Sequence, residues 1–343
     1  MKQQKIMEQQ TPITLDERIN QDLAELYNIL HKSVPLKAIK GVGSISAAVE
    51  LSEKLYSGDK HEDDDAYELS TLGLPGYYAG ERNAKTVMVM LNPGVRAEIN
   101  DTDITEISKY GFDTSSLEAF INSYHSRCQT GVEQDLDKEG KIRIDNFDIK
   151  QAAFLKDWTD SGVTIPDVFP CNGNEDRDVL RETRVNVLKQ KLQLELVPYA
   201  SQKFSSLGRK KLCYLFPYLE TVLDEIFRVD NRKYVIFCSG FFARLFKAYS
   251  NEATKNNQSF RFKIELLEKR PYPDILSNGN VYCTPVRIAN IDMDKDKDKD
   301  REIVAIIAHT FPSYALPNAY DKMREYGHKC FECLNEYQQT HKP

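Results

Sequence analysis

Apolar residues recur along the chain with two periods. Behind Thr14, a residue type that caps helices, Leu15, Ile19, Leu23, Leu26 and Leu30 are spaced three or four apart, which predicts a helix that packs one face on something. Residues 43–56 repeat that spacing more weakly. Four short runs, 86–91, 192–197, 234–238 and 303–308, are rich in β-branched and other apolar residues. Three of them are nearly continuous in apolarity, as strands of a parallel sheet covered on both faces are, and long helical stretches intervene. The fold class predicted is α/β: a three-layer α/β/α sandwich with a mostly parallel four-stranded central sheet, N-terminal helices and a large insertion.

The intervening helices are legible. Residues 208–228 carry Leu212, Leu215, Leu219, Val222, Leu223 and Ile226, and Pro217 obliges that helix to kink or split in two. Ser239-Gly240 opens a helix bearing Phe241, Phe242, Leu245 and Phe246, and Pro317 opens one running to about Tyr337. Residues 260–290 read as a hairpin, with 262–267 and 281–286 flanking the turn-rich segment 277–280. The Asp–Lys alternation at 292–300 reads as an exposed loop. Residues 1–69 form a helical extension. Residues 70–343 form the α/β domain, with an insertion at about 95–190 that has helical pieces around 115–128 and 178–191.

Composition narrows the class. No run reaches the roughly 18 apolar residues that a membrane span needs, and the first residues lack the apolar core of a secretion signal. Seven scattered cysteines are an odd number and no disulfide framework, so a reducing cytoplasm is the expected compartment. A net charge of -6 argues against a general nucleic-acid coat but allows a local basic groove. The acidic run at 60–65 reads as a solvated linker, because adjacent carboxylates lack the spacing that converges ligands on one ion. Cys330 and Cys333 lie one helical turn apart with no matching pair, so no metal and no cofactor is expected.

Candidate chemistry gathers where strands end, since open parallel sheets bind ligands at the carboxyl edge. The first run empties into Asn92-Pro93-Gly94, where a glycine lets backbone approach a ligand closely. Upstream lies Leu74-Pro75-Gly76-Tyr77-Tyr78-Ala79-Gly80, whose rings could stack on a planar ligand or serve the core. The last run ends at His309, followed by Thr310-Phe311-Pro312-Ser313-Tyr314-Ala315-Leu316-Pro317. A Ser313/His309 nucleophile lacks the Gly-x-Ser-x-Gly elbow such chemistry uses.

The segment from Tyr77 to Gly94 resembles that of the uracil-DNA glycosylase superfamily in which Pro, an aromatic and Gly precede a strand ending in Asn-Pro-Gly. The single-strand-selective and mismatch-specific branches carry that Asn-Pro-Gly, and this chain resembles a divergent member of them. Phe311-Pro312-Ser313 resembles the family's His-Pro-Ser. The resemblance covers about residues 70–95 and 190–340.

It implies hydrolysis of an N-glycosidic bond in single- or double-stranded DNA, as in base-excision repair, after the nucleotide is flipped from the stack. Asn92 then positions the attacking water, because an amide is no strong base. The family places His where Phe311 stands, which leaves His309 as the candidate donor to the departing base, or else as a satisfied imidazole ending a buried strand. Where these branches carry a base-reading Asn three residues before a Pro, this chain has Glu195 before Pro198. An ionised carboxylate only accepts hydrogen bonds, so Glu195 suits a base with an exocyclic amine better than uracil; the alternative is a Glu on the exposed end of a strand. Gly94, in place of the bulky Tyr of the uracil-selective branch, implies room for a larger base. Tyr314 and Leu316 stand where the family inserts a wedge, and Lys322 and Arg324 could meet phosphate. The rival class is a non-catalytic nucleic-acid or nucleotide-binding protein that keeps the fold.

Overall fold

The computed structural model describes residues 13–31, 45–56, 69, 74–91, 112–130, 146–165, 186–187, 189–200, 209–256, 260–276, 279–291, 301–309 and 320–340. Within them the strands are β1 (Tyr78–Gly80), β2 (Thr86–Met90), β3 (Leu192–Glu195), β4 (Tyr234–Phe237), β5 (Phe262–Leu266), β6 (Arg270–Leu276), β7 (Gly279–Asn290) and β8 (Arg301–Ala308). The helices are α1 (Leu15–Leu30), α2 (Ser46–Tyr56), α3 (Leu117–Thr130), α4 (Asn146–Leu155), α5 (Phe216–Phe227), α6 (Phe241–Asn256) and α7 (Tyr320–Thr340). Of these seven helices, only α7 carries a glycine, Gly327.

The four apolar runs form the parallel centre of one sheet in the order β3-β2-β4-β8. The expectation of a four-stranded sheet is too small, because four antiparallel strands extend it to eight: β1 flanks β3, and β7, β5 and β6 continue beyond β8. Three strands fill the hairpin expected at 260–290, with β5 and β6 both antiparallel to β7. β5 pairs with the second half of β7, and β6 pairs with its first half. Pro271 and Pro273 hid β6 from the pattern, and an edge strand tolerates them because one side of its backbone needs no ladder partner.

Alternation along the strands builds two cores. Val87, Val89, Leu192, Leu194, Val235, Phe237 and Ile307 face one side, where α1, α2, α3, α5 and α6 pack. Met88, Met90, Tyr234, Ile236, Cys238, Ile306 and Ala308 face the other, under α4 and α7. The described helices of the insertion therefore divide between the two faces. α1 is fixed by a capping box, in which Glu17 N–H donates to Thr14 Oγ1 at 3.2 Å and Thr14 N–H to Glu17 Oε2 at 2.7 Å. Pro217 splits its helix as expected: a 3-10 turn over Arg209–Leu215 gives way to α5, with the proline in the first turn where its missing N–H is harmless. α7 begins at Tyr320, and Pro317 lies outside the described residues.

Two buried constructions hold this arrangement. Glu225 of α5, 3% exposed, accepts from Arg82 in the β1–β2 turn at 2.5 Å and from Arg228 at 3.0 Å, with Arg232 at 3.7 Å. Asp22 of α1 accepts from the hydroxyls of Tyr77 (2.7 Å) and Tyr199 (2.8 Å), which ties α1 to the segments before β1 and after β3. Burial raises the Asp22 carboxyl to about 6 against the pull of those two phenols.

Candidate functional site

The carboxyl ends of β3, β2, β4 and β8 lie along one edge of the sheet. The β2–β3 ladder continues past the strands themselves: Leu196 N–H donates to Met90 O and Val197 N–H to Leu91 O, each at 2.9 Å. Backbone is thus fixed up to Leu91, the residue before Asn92. Asn92, Gly94, Phe311, Ser313, Tyr314 and Leu316 lie outside the described residues. Of the predicted site, Tyr77, Tyr78, Glu195, His309, Lys322 and Arg324 can be located.

Glu195 stands opposite Met90 in the parallel register. It is not an exposed strand end: the residue is 9% exposed and faces the second core. β3 alternates Leu192 and Leu194 with Lys191, Gln193 and Glu195, which in a one-sided sheet would mean a wet face. Here Lys191 and Glu195 are nonetheless buried and Gln193 is half-buried, so the polar residues form a largely buried strip. Lys191 Nζ donates to Gln193 Oε1 at 3.5 Å, and Gln193 Nε2 donates to Glu195 Oε1 at 2.9 Å. Glu195 Oε2 is buried without any hydrogen-bond partner, as is Oε1 of Gln151 on α4. Such an orphaned group costs about 1–3 kcal/mol and calls for a reason.

The electrostatics of the strip follow from its dryness. Burial raises the Glu195 carboxyl to about 8, with the Gln193 hydrogen bond and the Lys191 charge pulling it back. Burial lowers the Lys191 amine to about 8, opposed by Asp148 of α4, Cys238 and Glu195. Cys238, at the end of β4, is buried and its thiol is pushed up. Near neutral pH the strip therefore holds a proton on Glu195 and a positive charge on Lys191.

His309 is on the other face. Its Nε2 lies 2.7 Å from Thr284 Oγ1, and Gly240 at the start of α6 packs against its Nδ1, where an added Cβ would come within 3.0 Å. Burial and the nearby Lys269 push the imidazole down to about 4, so it is neutral at physiological pH. β2 and β4 separate β3 from β8, which puts the two strand ends roughly 14 Å apart at about 4.8 Å per strand. The structure therefore does not bring His309 to Glu195, and the satisfied imidazole is the geometry observed.

The tyrosines serve packing. Tyr77 is buried with its hydroxyl on Asp22, and Tyr78 is buried with its hydroxyl 2.9 Å from His125 Nδ1. Neither ring is presented for stacking on a ligand. Lys322 donates to Glu325 at 3.0 Å, and Arg324 makes a two-pronged pair with Asp157 at 2.8 Å, so both cations have partners within the chain. Cys330 and Cys333 are buried free thiols in the second core, and among the described residues no group of three or more His, Cys, Asp or Glu side chains is arranged to hold a metal ion.

Sequence reasoning found Glu195 but missed Lys191, Gln193, Gln151 and Asp148. The polar alternation at 191, 193 and 195, at the one run of the four that is not nearly continuous in apolarity, was the available signal. Comparison of the chain with protein-family models, curated proteins and solved structures finds no match.

Proposed function

We propose that the chain is a glycosylase-like hydrolase that cleaves the N-glycosidic bond of a flipped, modified or deaminated base in DNA, with Asn92 holding the attacking water and no metal taking part. The finer architecture that goes with this reading is the three-layer α/β/α sandwich of the uracil-DNA glycosylase superfamily. One observation carries it: β2 and β3 are hydrogen-bonded parallel neighbours, with Glu195 opposite Met90 and the ladder running on to Leu91. The resemblance pairs those same two strand ends, one as holder of water and the other as reader of the base. The buried, incompletely bonded carboxyl at that edge supports a ligand there, since perturbed and unsatisfied groups gather at functional sites. Cys128, Cys213, Cys238, Cys283, Cys330 and Cys333 are free thiols, which supports a reducing compartment such as the cytoplasm. No helix among the described residues is long and apolar enough to cross a membrane.

The test is incubation of the protein with oligonucleotides carrying uracil, hypoxanthine, xanthine or a modified cytosine, followed by alkaline cleavage at abasic sites. Base release that Asn92→Ala abolishes supports the enzyme. The second reading, a non-catalytic nucleic-acid or nucleotide-binding protein, is favoured by the engagement of His309 with Thr284 on the opposite face. Binding of these oligonucleotides without release of any base would establish it.

A further inference from the structure

The hydrogen bonds along β3 give the Glu195 carboxyl a direction. Oε1 accepts from Gln193 Nε2, and Gln193 is itself oriented by Lys191, which bonds its Oε1. An amide held that way can only donate toward Glu195, so Oε1 remains an acceptor and a proton on the group resides on Oε2. Oε2 is the atom left without a partner. The neighbouring strand contributes Met88 and Met90, opposite Gln193 and Glu195, and neither offers it a hydrogen-bonding group. The ionisable groups acting on the strip are Lys191 just before β3, Cys238 just after β4 and Asp148 on α4. Burial favours the protonated carboxyl, and Lys191 limits how far.

A uracil-type base departs as an anion spread over two carbonyls and needs a donor facing it, a role that His309, bonded to Thr284 on the other face, does not fill. A base carrying an exocyclic amine is a poor leaving group until a ring nitrogen gains a proton. Resting on the glycosidic-bond reading above, we propose that Glu195 is the general acid that gives its Oε2 proton to the departing base. The site accordingly takes an amino-bearing base, a modified cytosine or an adenine, in preference to a deaminated one. The C1′–N bond breaks with its electron pair passing to the base. The Oε2–H bond breaks with its pair staying on the carboxylate, and the proton ends on a ring nitrogen, so the base leaves neutral. Water adds its oxygen to C1′, and its surplus proton restores Glu195 through solvent. Gln193 and Lys191 are positioning residues that fix which oxygen carries the proton.

The experiment uses the full chain and oligonucleotides with a single uracil, 5-methylcytosine or adenine, read as single-turnover base release from about pH 6 to pH 10. Release of an amino-bearing base is expected to be level below about pH 8 and to fall about tenfold per pH unit above it, because the acid form is the active one. Glu195→Gln, which keeps the size of the side chain, should lower that release about a hundredfold with KM little changed, more than it lowers uracil release, and remove the alkaline limb. Gln193→Leu should move the midpoint of the alkaline limb, which a merely structural role would not. The wild-type profile alone decides the matter if Glu195→Gln fails to fold. Release of uracil but of no amino-bearing base overturns the proposal while the glycosylase reading stands. Equal loss on both substrate types in a folded Glu195→Gln, or a flat wild-type profile, also overturns it. No release of any base by the wild type overturns both.

Discussion

Gly327 sits in the middle of α7, where glycine is costly, and the structure shows what it permits. Its backbone lies against Phe154 of α4, and its carbonyl accepts a hydrogen bond from Trp158 Nε1 at 3.0 Å. A Cβ at 327 would lie 2.6 Å from the Phe154 carbonyl carbon and 2.8 Å from its Cα, and closer still to the carbonyl oxygen. Carbon atoms in ordinary contact are about 3.5–4.0 Å apart, so Gly327→Ala forces the helices apart by roughly 1 Å. The obstacle is backbone, which has no rotamer to escape into. Overpacking of this kind costs about 3 kcal/mol, at the upper end of the usual range. Loss of the Trp158 hydrogen bond adds about 1 kcal/mol. Against this, alanine gains about 1 kcal/mol over glycine in a helix interior.

The net expectation is destabilisation by about 3 kcal/mol, a fall in Tm of about 6 °C at roughly 2 °C per kcal/mol for a long chain. Thermal unfolding followed by circular dichroism measures it. The sign is decisive, because propensity alone predicts stabilisation. A Tm for Gly327→Ala equal to or above the wild type's would refute the close crossing of α4 and α7. The crossing also positions α4, whose Asp148 acts on Lys191 of the Glu195 strip, so any base release should weaken along with stability.

Three more expectations can be measured directly. Glu225→Ala strips Arg82, Arg228 and Arg232 of their buried partner and should cost about 3–5 kcal/mol in denaturant unfolding; a loss under about 1 kcal/mol would mean the arginines re-pair with solvent. Asp22 has its folded value raised to about 6, so the folded state binds the extra proton and this group's contribution to stability declines as pH rises from about 4 to 6. Asp22→Asn should therefore match the wild type near pH 4 and exceed it by up to about 3 kcal/mol at pH 7, and the reverse trend would contradict the burial argument. The His309 ring, pushed down to about 4, should show no NMR titration between pH 8 and pH 5; a midpoint above about 6 would mean that it is far more solvated than the contacts with Thr284 and Gly240 allow.

The parallel centre of the sheet was readable because apolar runs of strand length separated by helical stretches have few other solutions. What escaped was everything whose partner is distant. β1 is three residues long, and β6 carries two prolines, so neither has a local pattern. α4 has almost no amphipathic contrast because its contacts lie on several sides: Ala152, Ala153, Phe154 and Leu155 are all buried in the second core. Gly327 reads locally as a weak point in a helix, and only the facing backbone of Phe154 gives it a purpose.

The same distinction separates the site residues. Tyr77 and Tyr78 are aromatic residues in a loop beside a predicted site, and the partners that explain them, Asp22 and His125, are 55 and 47 positions away in the chain. Glu195 differs because its anomaly is local. A strand hydrogen-bonded on both sides rarely buries alternating polar residues unless they have work to do, and in Lys191-Leu192-Gln193-Leu194-Glu195 both Lys191 and Glu195 are buried. Its members satisfy one another in sequence from the amine to Oε1, and the chain of hydrogen bonds stops one atom short, at Oε2. A purely structural strip gains nothing from that last unpaired oxygen, and apolar residues of similar size would remove its cost. The unpaired atom lies beside the strand that leads to Asn92, and in the reading proposed above a ligand at the carboxyl edge between β2 and β3 completes the network.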